Sequence, residues 1–543
     1  MKMFRRYCLV SLALGLLGAA GSAGDPYPLS RQLRTLEADL QSPAYQAVLA
    51  TMIVTDLQAE WLRVATPDNY RRFQEEHNGL ARIQSDPQLR AAYERRKRIA
   101  EQFLGMLRQA YQARQQKPPF DDPEILSVAL LAKQEQRNDA APAPTPAIRP
   151  YLVAAGAEKQ WPGFRGPTAQ GFVFDTEIPL TWSATESILW RTRLPGKGNS
   201  SPVIWGDQIF LTAEGAAGKN GPERLLLAYD RKTGALLWQH AAPEPPEVEK
   251  LYRKNSLASS TPASDGERVV AFFGNSGLLC CDLAGNRLWH RNLGLFRTIH
   301  GPGSSPVIYK DLVILIQDLT QGKSVCAAFD KRTGEERWRV ERRNAACWCT
   351  PVIIRVGDRD ELVYNGSGEL IAYDPETGAV RWRTAGPSGE SIPMIVSGGG
   401  LIYSASGRNG PVFAVRPGGT GDITQTHIVW KNRLGGPHVP SPIYHDGRIY
   451  LVSDTGIVSA LDAKSGELLW EERLRGRFSA SPLVVGDRIL FVNEDGETFV
   501  IRSRSEFELL AENPLNEYTV ATPAVVGGRL YFRTAEHLIC IGK

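Results

Sequence analysis

In 543 residues the chain has only seven cysteines, and one of them, Cys8, sits at the start of an apolar N-terminal run. The other six, Cys280, Cys281, Cys326, Cys347, Cys349 and Cys540, are too few for a disulfide framework to hold so long a chain. Charge of one sign is equally scarce. Lys and Arg total 63 against 59 Asp and Glu, and three of the surplus cations, Lys2, Arg5 and Arg6, belong to the same N-terminal segment. No basic patch remains, which argues against a nucleic-acid partner. Beyond Leu17 no apolar run is long enough to span a bilayer, which takes about 20 residues. Gly-x-Ser-x-Gly elbows and Walker-type phosphate loops are also missing, so neither an esterase-type nucleophile nor a nucleotide site is indicated.

What is present begins with a disposable leader. A basic start, an apolar stretch from Cys8 to Leu17 and Gly21-Ser-Ala23 form the pattern of a signal peptide over residues 1–23. Export to the periplasm or cell envelope is therefore expected. Cys8 is not placed as a lipid-attachment cysteine, and retention of the leader would give peripheral membrane association. Residues 27–135 read as a small α-helical domain. Tyr45, Val48, Leu49, Met52, Ile53 and Leu57 share one stripe, and Thr66-Pro67-Asp68 and Ser85-Asp86-Pro87 supply helix starts. Residues 136–160 are a Pro/Ala-rich linker, semi-extended and not expected to join a sheet.

From residue 161 onward the pattern has period two. A Ser/Thr-Pro dipeptide recurs at 201, 261, 305, 350, 441, 481 and 522, with Ile392-Pro393 as a variant, and each leads into an apolar strand and a Gly/Asp turn. Proline at a strand's first residue removes no ladder bond. A second stretch, Ala228-Tyr-Asp-Arg-Lys-Thr-Gly-Ala-Leu-Leu-Trp238, recurs in the units ending at Trp338, Trp382 and Trp470, and in shortened or altered form before Trp289 and Trp430. Its Asp and Thr can bond the turn backbone and its Gly takes positive φ. Burying each Trp is worth at most ~4 to 6 kcal/mol before entropy is subtracted, and one unit cannot bury it alone.

Four short strands per unit, repeated every ~40 to 45 residues, predict a mainly β, eight-bladed β-propeller with four-stranded blades. The last unit, 522–543, ends without a Trp strand. The segment around Trp190 precedes the first marker without a blade of its own, so residues 181–194 are expected to pair with 522–543 and close the ring. Two units depart from the pattern. The fifth carries Pro417-Gly-Gly-Thr-Gly421 before Trp430, and the seventh has no Trp, so its outer strand is expected to be the least firmly docked.

These residues resemble the tryptophan-docking repeats of the eight-bladed propellers named after pyrroloquinoline quinone. That superfamily contains quinoprotein alcohol dehydrogenases and also non-enzymatic members such as the lipoprotein B subunit of the outer-membrane β-barrel assembly machinery. Trp190, Trp238, Trp289, Trp338, Trp382, Trp430 and Trp470 are by this resemblance structural docking residues. In the enzymatic members the resemblance implies quinone and calcium at one mouth, a catalytic Asp and a vicinal disulfide. Here no motif marks calcium ligands or a catalytic Asp, and Cys280-Cys281 falls inside a strand, where a pair of buried thiols is the expectation.

Ligands of propellers sit near the channel, where the loops ahead of each Ser/Thr-Pro arrive. The candidate rim residues are Lys197, Asn199, Asn255, His300, Trp348, Glu390, His438, Arg477 and Tyr518, with Glu517 beside the last. His300, Cys347, Cys349 and His438 have the ligand types of a metal site, but Cys347-Trp-Cys349 has the spacing of a packed strand, and no metal is expected. The reading is an exported, non-enzymatic and monomeric scaffold that binds a protein or envelope ligand through its faces and rim, without a cofactor. A quinone- and calcium-dependent dehydrogenase of alcohols or sugars is the alternative, and a glycan-binding propeller the second.

Overall fold

The computed structural model describes residues 147–543, except 175–176, 344–346, 388, 408–409 and 433–435. The leader and the helical stretch at 27–135 lie outside the described residues.

Eight antiparallel four-stranded units form the blades of a propeller. Blade 1 is Val203–Trp205, Gln208–Gly218, Gly221–Asp230 and Leu236–Ala241, from the channel outward. Blade 8 is assembled from both ends of the domain. Ala524–Val526, Arg529–Arg533 and His537–Ile541 come last in the chain, and Ile188–Arg193, which precedes blade 1, pairs as the outer strand with Trp190 opposite Cys540. Middle strands such as Leu312–Gln317 and Ser324–Asp330 are buried throughout, because each blade is sandwiched between two others. They therefore read as continuous apolar runs. Outer strands such as Ile188–Arg193 and Ile428–Asn432 alternate, having one face against the next blade and one in water.

The Ser/Thr-Pro hydroxyls have a specific task. Six of the seven accept a hydrogen bond from the backbone N–H at the same position of the preceding blade. Ser201 donates to Thr261 (2.9 Å), Thr261 to Ser305 (3.0 Å), Ser305 to Thr350 (3.0 Å), Ser441 to Ser481 (3.0 Å) and Ser481 to Thr522 (2.9 Å). Proline follows at no cost in ladder bonds. In blade 5 the donor to Ser441 is Met394, and the inner strand is Val396–Gly398. Ile392-Pro393 therefore lies two residues ahead of the marker position, held here by Met394-Ile395, and Met394 offers no hydroxyl to Thr350. Ser305→Ala should cost about 1 to 3 kcal/mol by stranding a buried amide. Hydrogen exchange should then accelerate at Thr261 well ahead of its neighbours, whereas uniform acceleration would assign the hydroxyl a different role.

The tryptophans lie between blades. The Nε1 atoms of Trp190, Trp238, Trp289, Trp338 and Trp430 donate to Arg231, Leu283, Lys331, Pro375 and Ala463 carbonyls of the following blade, at 2.9–3.2 Å. Each ring lies against the glycine of the receiving turn. At Gly234, with φ of 74°, a Cβ would come within 2.5 Å of Trp190. In that turn Asp230 Oδ1 accepts from Lys232 N and from Thr233 N and Oγ1 at 2.8–3.0 Å, and the Thr233 bonds hold its carboxyl below the usual range. Most of the indoles are only half-buried, so the full-burial figure is an upper bound here.

Two blades depart. Trp382 is wholly buried and donates to Glu361 Oε2 (2.8 Å), because the glycine-rich insertion folds back and Gly421–Asp422 adds a parallel strand beside it. In blade 7, Ala511 stands opposite Val500 where other blades place Trp. There Asn513 instead accepts from Trp182 N (2.9 Å) and donates to Leu180 O (3.1 Å), tying the outer strand to the segment that enters blade 8.

Candidate functional site

The antiparallel order of every blade sends the loops ahead of Ser/Thr-Pro to one face, the rim face, and the Gly/Asp and Asp-x-x-Thr-Gly turns to the other, the turn face. Each face meets the channel differently.

On the rim face the connection from blade 1 to blade 2, Ala242 to Thr261, is the organising element. Its Glu249 is buried against Arg224, with both side chains 1% exposed, and accepts from Asn275 N. Its Lys254 reaches both oxygens of Glu494 in blade 7 at 2.8 Å, with Ser479 Oγ on the same carboxylate at 2.7 Å. That bridge passes blade 8 and spans part of the mouth. Asn255 Nδ2 donates to His300 O (2.7 Å) and Pro302 O (3.0 Å), while Asn199 Nδ2 donates to Lys254 O (2.9 Å). His300 lies between Tyr252 (5.2 Å) and Trp348 (5.0 Å, 32°), and Trp348 Nε1 donates to Gly301 O (2.8 Å). Asn199, Asn255, His300 and Trp348 thus form one connected cluster over blades 1 to 4, in which the two asparagine amides and the indole N–H bond loop carbonyls.

The remaining candidates lie apart from it. Glu390 and His438 flank Gly407, whose Cβ would come within 2.6 Å of Glu390 O and 3.0 Å of the His438 ring, and His438 N donates to Asp454. Lys197, Arg477 and Tyr518 are exposed, and their carbonyls accept from Glu214, Glu494 and Ala535. Burial and the charge of Glu494 raise the Tyr518 hydroxyl. Glu517 is tied to His537 Nδ1 (2.9 Å) and Thr534 Oγ1 (2.6 Å). Lys254, Glu494 and Tyr252 are not among the residues marked by the proline pattern. Lys254 is adjacent to a marked residue, but Glu494 lies in a turn between a second and a third strand, where no such marker exists.

Among the described residues no group of three or more His, Cys, Asp or Glu is arranged to hold a metal ion, and His300, Cys347, Cys349 and His438 do not converge. Cys347 Sγ donates to Ser391 O (2.9 Å), and burial pushes its thiol up to about 12. Cys280 and Cys281 are free and buried on opposite faces of their strand, one packed with Phe272 and Trp289, the other with Phe210 and Trp238.

On the channel axis the chain fills its own bore. Ile148–Pro150 pairs antiparallel with the inner strand of blade 4; proline is tolerated at the end of an edge strand, so the linker does join a sheet. Tyr151 Oη accepts from Lys310 N (3.0 Å, blade 3), Pro162 O from Ser264 N (2.8 Å, blade 2), and Trp161 exchanges both main-chain bonds with Ile204 (2.9 and 2.8 Å, blade 1). Arg165 Nη2 donates to Pro442 O (2.7 Å, blade 6), Gln170 Oε1 accepts from Ser397 N (2.7 Å, blade 5), and Phe172–Val173 pairs parallel with blade 7. Residues 148–173 therefore reach the inner edges of seven blades. Trp161 is 1% exposed, and Gly166, at φ of 80°, lies on its ring where a Cβ would come within 2.7 Å.

With this ring and filled channel in view, the chain can be placed among known proteins. The family model described as outer membrane protein assembly factor BamB matches residues 168–320, 321–418 and 419–537. The chain belongs to this family. Two curated relatives are a polyvinylalcohol dehydrogenase of Sphingopyxis sp. (strain 113P3) and the outer membrane protein assembly factor BamB of Yersinia pestis. The first is 23% identical over 285 residues, 44% of this chain and 41% of that protein. The second is 26% identical over 163 residues, 27% of this chain and 38% of that protein. The chain thus spans less than half the length of either. A europium-containing methanol dehydrogenase superposes with a TM-score of 0.53 at 12% identity, covering 69% of this chain and 89% of that one, a likeness of fold alone.

Members of this BamB-type propeller family with dehydrogenase chemistry raise the question of quinone and calcium. Calcium takes about six to eight oxygen ligands from convergent carboxylates and carbonyls. Four rim carboxylates are committed elsewhere. Glu494 holds Lys254, Glu214 accepts from Ser256 Oγ and Leu257 N, Asp318 holds Arg342 and Tyr364, and Glu517 holds His537. Among the described residues the rim carboxylates do not converge as a calcium site.

Proposed function

We propose that the protein is a non-enzymatic scaffold of the cell envelope whose rim face binds another protein, with residues 27–135, helical by their sequence pattern, as a second contact. The observation that carries this reading is a set of large apolar side chains on the braced rim loops of blades 1 to 3. Val248 and Tyr252 are each 44% exposed, Ile299 44% and Leu295 36%. They stand on two adjacent loops joined by Tyr252 N to His300 O (3.2 Å) and flanked by exposed Lys250 and Arg253. The buried ion pair Arg224–Glu249 and the part-buried pair Lys254–Glu494 hold the loops in place, so binding would not have to order them first. Exposed aromatic and aliphatic anchors beside basic side chains are the composition of a protein interface.

Incubation of the full chain with pyrroloquinoline quinone and calcium tests this against the dehydrogenase alternative. No bound quinone and no dye-linked oxidation of alcohols, sugars or polyvinyl alcohol are expected. Stoichiometric quinone with turnover would overturn the reading.

A further inference from the structure

One blade is left out by the segment that fills the channel. In each inner strand the residue next to the turn-flanking pair points its N–H and C=O at the channel, because hydrogen-bonded and non-bonded pairs alternate along an antiparallel ladder. In blade 1 this residue is Ile204, and Trp161 takes both groups; in blade 7 it is Val484, whose N–H goes to Gly171 O at 2.9 Å. In blade 8 it is Val525, between the pairs Val526–Arg529 and Ala524–Tyr531. Among the described residues nothing bonds its outward amide and carbonyl. Val525 instead fronts a cleft of about 590 Å³ on the turn face.

The cleft lies between the two places where the channel segment docks. Trp161 on blade 1 forms one wall and Val173–Phe174, leaving blade 7, the other; Glu158, Lys159, Asp207 and Arg231 stand at its edge, and Asp207 holds Arg231 at 3.3 Å, which leaves Lys159 as the cation outside that pair. Trp161 Nε1, on a side chain 1% exposed, has no hydrogen-bond partner, and Phe174 is 45% exposed. A cleft with an unused main-chain donor and acceptor, apolar walls and Lys159 at its edge has the chemistry of strand addition.

We propose that this cleft receives an extended peptide segment of another protein, which adds to Ala524–Val526 through the amide and carbonyl of Val525. The molecule contains its own precedents, since Ile148–Pro150, Trp161 and Phe172–Val173 add to blades 4, 1 and 7 in this manner. An apolar side chain of the guest rests on exposed Phe174, and an Asp or Glu beside it faces Lys159. The site lies on the opposite face from the rim loops and stands independently of them.

The test is selection of a random nonapeptide display library on the full chain, followed by titration of the enriched peptides as synthetic, end-capped molecules. The expected peptides carry a β-branched or aromatic residue next to Asp or Glu. N-methylation of one alternate backbone nitrogen should weaken them at least tenfold. Val525→Pro, which removes the outward N–H, and Lys159→Ala should each do the same, and bound peptide should slow exchange of the Val525 amide at least tenfold. Should Val525→Pro fail to fold, the N-methyl series on the unaltered chain decides alone. Failure to enrich any peptide, affinity indifferent to N-methylation, or binding unchanged by both substitutions would overturn the proposal. Preferential occupancy by a neutral trisaccharide such as cellotriose would overturn it as well. None of these outcomes bears on the rim face, which is probed separately at Tyr252.

Discussion

A chain lacking residues 181–194 should not form the ring. That segment supplies the outer strand of blade 8, with five of its six residues paired against His537–Ile541, and Leu194 N donates to Glu536 O at 2.7 Å. It also supplies the contact from blade 8 to blade 1. Trp190 Nε1 reaches Arg231 O, Thr192 Oγ1 donates to Gly234 O (2.7 Å), and buried Trp182 packs on Phe532. Its loss leaves blade 8 with three strands and an open edge, and blade 1 with an uncovered turn. Loss of one buried Trp alone costs about 3 to 5 kcal/mol, and whole-protein stability is about 5 to 15 kcal/mol. Circular dichroism of the shortened chain should show no cooperative melt. A transition at the full-length temperature would mean that the ring closes without this strand.

Trp161→Ala should have the next largest effect. The ring is fully enclosed, stacked under Gly166 and against the inner strands of blades 1 and 8, so its removal opens a cavity that cannot collapse. About 3 to 5 kcal/mol is expected, with the main-chain bridge to Ile204 retained because alanine keeps both groups. The contrast is Trp470, whose indole is half-exposed and makes only a 3.3 Å bond to Arg504 O; its alanine variant should lose clearly less. Equilibrium denaturation of both variants gives the comparison. Equal losses would mean that the channel segment contributes no more to stability than a peripheral Trp contact.

The blades are legible in the sequence because their devices are local. Ser/Thr-Pro marks a strand start, Asp-x-x-Thr-Gly marks a turn, and the spacing to Trp is constant, so counting them yields eight four-stranded units. The reading slips by two residues at Ile392-Pro393, where a proline without its hydroxyl imitates the marker. The channel segment is not legible. Residues 148–173 have no period, and their partners are backbone groups of seven different blades, such as Pro442 for Arg165. Bonds to main-chain atoms leave no trace in side-chain chemistry. The rim cluster is legible in part. Asn199, Asn255, His300 and Trp348 lie where loops converge, and their amides and indole bond the carbonyls of those loops. The pair that spans the mouth, Lys254 and Glu494, is separated by 240 residues and requires the closed ring to be seen. Exposure of Tyr252 and Ile299 follows from loop shape, which composition does not encode.

The central claim is that the rim loops of blades 1 to 3 carry the partner surface. A photo-crosslinking amino acid at position 252, introduced in native cells with a control at outer-strand Leu237, tests it most directly. One discrete protein adduct at 252, absent at 237 and abolished by Ile299→Asp, is the expected result. No adduct at 252, or the same adducts at both positions, would contradict it.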